Sequence, residues 1–113
     1  MPETLYEFVE FSAFTRQLLS TGDPALLLEK IQDELLKNPE AGSLIKGGIR
    51  KVRVSAPGRT AGKSGGYRVW YYFFRKGETF LLLFLLDKKH ADNISPRQEE
   101  TLVLALKEAL KIS

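Results

Sequence analysis

Apolar and polar positions alternate from the start of the chain. Leu5, Glu7, Val9 and Phe11 share one parity and Tyr6, Phe8 and Glu10 the other, which predicts a first strand over 5–11. The period then lengthens. Ser12 offers a helix N-cap, Phe14, Leu18 and Leu19 form a short apolar stripe, and Gly22 ends it. Asp23-Pro24 is an N-cap and N1 pair, and Leu27, Leu28, Ile31, Leu35 and Leu36 recur at helical spacing until Asn38-Pro39 stops the second helix. A glycine-rich loop over 40–48 follows.

Alternation returns at 49–55, with Val52 and Val54 on one side of a strand and Lys51 and Arg53 on the other. Residues 56–66 read as a loop holding Arg59 and Lys63. In the aromatic strand 67–74, Arg68, Trp70, Tyr72 and Phe74 share a face opposite Tyr67, Val69, Tyr71 and Phe73. Lys76-Gly-Glu78 is a turn, so 79–86 completes an antiparallel hairpin. The run 80–86 is apolar on both parities, which suits a central strand covered on both faces. After a polar loop over 87–93, Ser95-Pro-Arg-Gln98 has the form of a capping box. It opens a last helix that buries Leu102, Val103, Leu106, Ala109 and Leu110. The expected fold is α+β in the order β-α-α-β-β-β-α, a single domain over 1–113. Its antiparallel sheet carries two helices on one face, and the other face presents part of the basic set.

Charge sharpens that picture. The net charge is only +3, but it is unevenly distributed. Residues 41–77 contain no Asp or Glu and nine Lys or Arg: Lys46, Arg50, Lys51, Arg53, Arg59, Lys63, Arg68, Arg75 and Lys76. The balance is −5 over 1–40 and −1 over 78–113. So concentrated a positive field calls for an anionic partner, and the aromatic residues interleaved with it favour nucleic acid. The chain has no cysteine, which removes thiolate catalysis, disulfides and Cys-based zinc sites and fits a reducing cytoplasm. The start of the sequence lacks the features of a signal peptide, and no apolar run is long enough to span a bilayer.

Other motifs carry less. Gly58-Arg-Thr-Ala-Gly62-Lys63-Ser64 is one residue short of a P-loop and leads into a strand rather than a helix, so no helix N-terminus would face a phosphate. His90 is the single histidine and sits beside Lys88 and Lys89, in the manner of a solvated loop residue. No carboxylate spacing matches a metal site, and none is expected.

The run Ile49-Arg-Lys-Val-Arg-Val54, Pro57-Gly-Arg59, Gly62-Lys-Ser-Gly-Gly-Tyr-Arg-Val-Trp-Tyr-Tyr72 and Leu86-Asp-Lys-Lys-His-Ala-Asp-Asn-Ile-Ser-Pro96 resembles the RelE/ParE superfamily of bacterial toxins, and within it the HigB-like branch of type II toxin–antitoxin modules. Asn38-Pro-Glu-Ala-Gly42 and Ile45-Lys-Gly-Gly48 fit the same pattern. The resemblance implies a RelE-like fold and a cytoplasmic endoribonuclease that cuts mRNA in the ribosomal A site, against 16S rRNA, and so inhibits translation. The RNA 2′-hydroxyl would attack the adjacent phosphate without metal or other cofactor. A cognate antitoxin would neutralise the toxin, and operator DNA would be met only through their complex; no membrane is involved.

By position, the resemblance assigns Lys51, Arg53, Arg68 and Lys88 to catalysis and Arg59, Lys63 and Lys89 to phosphate binding, and Arg50, next to Lys51, is expected to bind phosphate with them. Arg68 is suited to the developing phosphoryl charge, because a planar fork pairs two oxygens. Lys51 is the candidate proton acceptor. Two features depart from the pattern. The C-terminal tyrosine of RelE has no counterpart, Ser95 being nearest, and Lys89 stands where an uncharged polar residue is commoner in the HigB-like branch. Two other activities compete: a ParE-type gyrase poison and a non-catalytic nucleic-acid-binding module.

Overall fold

The computed structural model describes residues 5–57 and 66–112. Its elements are β1 (Glu7–Glu10), α1 (Ser12–Leu19), α2 (Pro24–Lys37), β2 (Ser43–Leu44), β3 (Arg50–Val54), β4 (Tyr67–Phe74), β5 (Thr79–Asp87) and α3 (Pro96–Ile112). The α+β class and the expected element order hold, with one addition. The 40–48 stretch, read as a loop, contributes the two-residue strand β2 and a single 3₁₀ turn at Lys46–Gly48. Arg59 and Lys63 lie outside the described residues, as does the near-P-loop that contains them.

Local chemistry sets the helix ends. The Asp23 side chain accepts from the Leu26 amide at 3.2 Å, and Pro24 occupies the first turn of α2. At α3 the capping box forms in full. Ser95 Oγ accepts from the Gln98 amide at 3.1 Å, and Gln98 Oε1 accepts from the Ser95 amide at 2.8 Å. For α1 the cap falls one residue earlier than expected: Phe11 is the N-cap, with no side-chain cap bond, and Ser12 begins the helix.

The five strands form one sheet in the order β1-β5-β4-β3-β2. Pairing is antiparallel from β2 to β5, but β1 joins β5 in parallel. The chain must run through α1, α2 and the β2–β4 meander before β5 is made. β1 therefore returns to an edge beside the last strand, and its direction follows from the two helices that intervene rather than from a hairpin turn.

Helices cover both faces of the sheet. Phe14 and Leu18 of α1 and Leu27, Ile31 and Leu35 of α2 pack with Val54, Val69, Tyr71, Phe80, Leu82 and Leu85. On the opposite face, Leu102, Val103 and Leu106 of α3 pack with Ile49, Trp70, Leu83 and Ile94. The expected pair of helices on one face is α1 and α2, whereas α3 crosses to the face that was expected to be open. The reason lies in β5. Trp70 pairs with Phe84 and Tyr71 with Leu82, leaving Leu83 as the extra residue of a β-bulge. The bulge resets the alternation: Phe80, Leu82 and Leu85 face α1 and α2, while Leu81, Leu83, Phe84 and Leu86 face α3. Each buried Leu, Phe or Ile stabilises by about 1.5–3 kcal/mol, so an apolar stripe this wide on the second face requires a cover. No described helix is long and apolar enough to cross a membrane.

Candidate active site

The basic residues are sorted by strand parity. On β3, Lys51 and Arg53 share the side of Ile49, toward α3, whereas Arg50 shares the side of Val52 and Val54. Register then sets their neighbours. Arg53 stands opposite Arg68, and Arg68 opposite Leu86; one step along, Lys51 stands opposite Trp70, and Trp70 opposite Phe84. Past the end of β5, the Lys88 amide donates to Gly66 O at 3.0 Å, which extends the ladder and sets Lys88 beside the start of β4. Lys51, Arg53, Arg68 and Lys88 thus gather at one end of the α3-side face, where Trp70 and the helix begin to close it.

These cations have no ion-pair partner among the described residues. Ion pairs among the described residues are Lys46–Glu100, Arg75–Glu40 and Lys111–Glu108, and none involves Lys51, Arg53, Arg68 or Lys88. Asp87 immediately precedes Lys88 but pairs in register with Tyr67 on the other parity. The Tyr67 hydroxyl is held above the ordinary phenol range, first by burial and then by the Asp87 charge. Asp87 also accepts the Lys89 amide at 2.9 Å on its side chain and the His90 amide at 3.0 Å on its carbonyl. It therefore shapes the turn that carries Lys88 without reaching across to neutralise the site.

Arg53 is exposed, while Lys51, Arg68 and Lys88 are half-buried. The Arg68 Nε is buried and lacks a hydrogen-bond partner, and so does the Trp70 Nε1. An unmatched buried donor costs about 1–3 kcal/mol, more on a charged group. Its cost is offset when an anionic oxygen binds the same guanidinium.

The other expected residues lie elsewhere. Arg50 points to the opposite face, where its Nη1 donates to Glu40 O at 2.9 Å and to Gly42 O at 3.4 Å; it fastens the 40–42 segment. Lys89 and His90 are exposed in the turn after β5. Trp70 and Tyr72 share the Arg68 face, yet Trp70 is fully buried beneath α3 and Tyr72 packs on the same cluster, so Trp70 is closed to stacking on a base. Of the described cations in the acid-free segment, Lys46, Arg50 and Arg75 are tied to partners of the fold. Lys76 is exposed in the turn before β5, and Lys51, Arg53 and Arg68 gather on the α3-side face.

Sequence reasoning gave no role to Lys30. From α2 it donates to Ser55 Oγ at 2.8 Å and to Ala56 O at 3.3 Å, anchoring the chain where it leaves β3. No local pattern marks such a long-range bond; only its helical position, three residues beyond Leu27, places it near the sheet. Among the described residues no three His, Asp or Glu side chains cluster as metal ligands.

No protein-family model matches the chain. Among solved structures, the isolated E. coli RelE toxin is similar with a TM-score of 0.55 at 15% identity, over 87% of this chain and 96% of that one. A mutant of E. coli RelE in the free state is similar with a TM-score of 0.54 at 15% identity, over 78% and 88% of the two chains. The intact E. coli RelBE toxin–antitoxin complex gives a TM-score of 0.52 at 18% identity, over 72% and 94%. At such low identity the likeness is one of architecture, and on it the chain has the RelE fold.

Proposed function

We propose that this protein is the toxin of a type II toxin–antitoxin pair, of the HigB-like kind, and that it cuts mRNA on the ribosome in the cytoplasm. The observation that carries this reading is the row of Arg53 and Arg68, flanked by Lys51 and Lys88 and without ion pairs among the described residues, on a RelE fold. A ParE-type gyrase poison gives no reason to keep that row.

In the proposed reaction the 2′-oxygen of one nucleotide forms a bond to the adjacent phosphorus, and the bond from phosphorus to the 5′-oxygen of the next nucleotide breaks. Lys51 in its neutral form takes the 2′-hydroxyl proton, and a proton returned to the 5′-oxygen completes the balance. Negative charge builds on the phosphoryl oxygens as the bond forms. Arg68 is aimed at that charge, and its fork geometry lets it hold two oxygens at once. Arg53, Lys88 and Lys89 hold the backbone phosphates, a role that the resemblance also gives to Arg59 and Lys63. The cognate antitoxin would cover this face with acidic residues.

The deciding experiment is primer extension on mRNA translated in a purified bacterial system. Wild type should give cuts that require the ribosome, and Arg68→Ala should lower their rate by about 10²–10³ without loss of folding. Intact mRNA with the wild type would end this reading, and inhibition of gyrase supercoiling or binding without cleavage would replace it.

A further inference from the structure

A cavity of about 210 Å³ is lined by Ala13, Phe84, Ile94, Gln98, Thr101 and Leu102. It opens between the start of α1 and the first turns of α3, with Phe84 of β5 as its floor. No lining residue is charged. Phe84 sits in the row next to Arg68, diagonally across the β4–β5 ladder, where such neighbours are about 7–8 Å apart. One nucleotide bridges that distance between its phosphate and its base. Resting on the ribonuclease reading above, we propose that this cavity is a nucleobase subsite, which receives the base attached to the phosphate held by Arg68.

Three features favour a base over another occupant. The cavity is smaller than the 300 Å³ or so at which pockets for drug-sized ligands begin, and it has one aromatic wall. Its rim carries a donor and an acceptor whose other functions are already committed. Gln98 Oε1 is engaged by the Ser95 amide, which leaves the Gln98 NH₂ to donate. The Thr101 hydroxyl donates to Arg97 O at 3.1 Å, which leaves its oxygen to accept. An adjacent donor and acceptor match the polar edge of a base. Arg53 and Arg68, which have no ion-pair partner among the described residues, call for an anion tethered to the apolar group. A nucleotide carries both parts in one molecule, while an aliphatic protein side chain fills the cavity and leaves the charges unmet.

The chain's single tryptophan, Trp70, reports on the cavity, because its ring centroid is 5.9 Å from that of Phe84. A short 2′-O-methyl RNA, which cannot be cut, is titrated by tryptophan fluorescence against the same RNA with one abasic position scanned along it. Removing the bound base should weaken affinity for wild type by about tenfold to hundredfold. Thr101→Leu, which fills the cavity from an exposed helix position, should weaken the intact RNA by the same factor and abolish the difference between intact and abasic RNA. Affinity for inorganic phosphate should not change. Equal binding of intact and abasic RNA by wild type overturns the proposal with no variant needed, and so does an absence of RNA binding. An unchanged base effect in folded Thr101→Leu overturns it as well and leaves the cavity to a protein partner. Because the probe is uncleavable, failed mRNA cleavage on the ribosome would count against the ribonuclease reading and not against the subsite.

Discussion

Arg53 and Arg68 stand directly opposite each other on adjacent antiparallel strands. Like charges in that position destabilise a sheet by about 0.2–1 kcal/mol, and no carboxylate among the described residues pairs with either. The pair is a cost to the free fold that an anionic ligand offsets. Arg53→Ala should therefore raise stability in urea at low salt by a similar amount, because Arg53 is exposed and packs little. The gain should shrink as salt screens the repulsion. The same variant should weaken ribosome binding and flatten its log–log salt dependence by about 0.7–0.9, the contribution of one phosphate contact. Loss of stability in Arg53→Ala at low salt would show that the guanidinium is anchored in the free protein after all.

Lys51 is half-buried on the same face, opposite Trp70 and one step from Arg68. If it accepts the 2′-hydroxyl proton, Lys51→Ala should be slow in single-turnover cleavage, with a pH profile flatter than that of wild type. Lys51→Arg should keep the charge and RNA binding but remain slow, since guanidinium does not give up its proton in this range. A wild-type pH profile in Lys51→Ala would move the base to another residue.

Which of these relationships the sequence discloses depends on their range. Parity along β3 separates Lys51 and Arg53 from Arg50 without any structure, and the Ser95–Gln98 box and Asp23 cap are legible because both partners lie within four residues. The Arg53–Arg68 opposition is not legible, because it depends on the register between two strands, which the sequence of the segment joining them does not fix. The bulge at Leu83 is hidden in a uniformly apolar run, where one inserted residue leaves no gap in the pattern. That run already indicates a strand covered on both faces, but which helix covers the second face depends on where the chain goes after Asp87. Arg50 illustrates the limit of reading charge by composition. Its partners, the carbonyls of Glu40 and Gly42, are backbone groups that every sequence contains.

Tyr71 provides a pH test of the fold independent of the chemistry. Its ring is fully buried, and its hydroxyl donates to Ala41 O at 2.7 Å and Pro39 O at 3.1 Å. Burial pushes this hydroxyl up to about 12; Arg50 lowers it and Glu40 raises it by smaller amounts. The folded state thus holds the proton more tightly than the unfolded chain, whose phenol titrates near pH 10. The stability this confers is fully present below about pH 10 and should be lost as pH rises toward about 12. Tyr71→Phe should lower stability at neutral pH by about 0.5–1.5 kcal/mol and make the alkaline decline shallower, with Tyr67 supplying part of what remains. Urea melts across that range read both effects, and an equally steep decline in Tyr71→Phe would remove Tyr71 from the titration.

Gly42 couples the fold to the site through one backbone contact. Its φ is +85°, and a Cβ built there would lie 2.1 Å from Lys51 O and 2.9 Å from Val52 Cα. The left-handed conformation alone costs a non-glycine residue about 1–3 kcal/mol, and the clash is with backbone that no rotamer change can clear. Gly42→Ala must therefore push β2 away from β3 or shift Lys51 itself, although position 42 lies on the far side of β3 from Arg68. The variant should be destabilised by more than the strain alone, and the fraction that folds should cleave more slowly than wild type under conditions where both are folded. Ala41→Gly, which changes the neighbouring residue without a clash, serves as the control for loop stiffness. If Gly42→Ala lowers stability yet leaves the single-turnover rate of the folded protein unchanged, the position of Lys51 is set from β4 alone, through its pairing with Trp70, and the 40–44 segment has no part in positioning it.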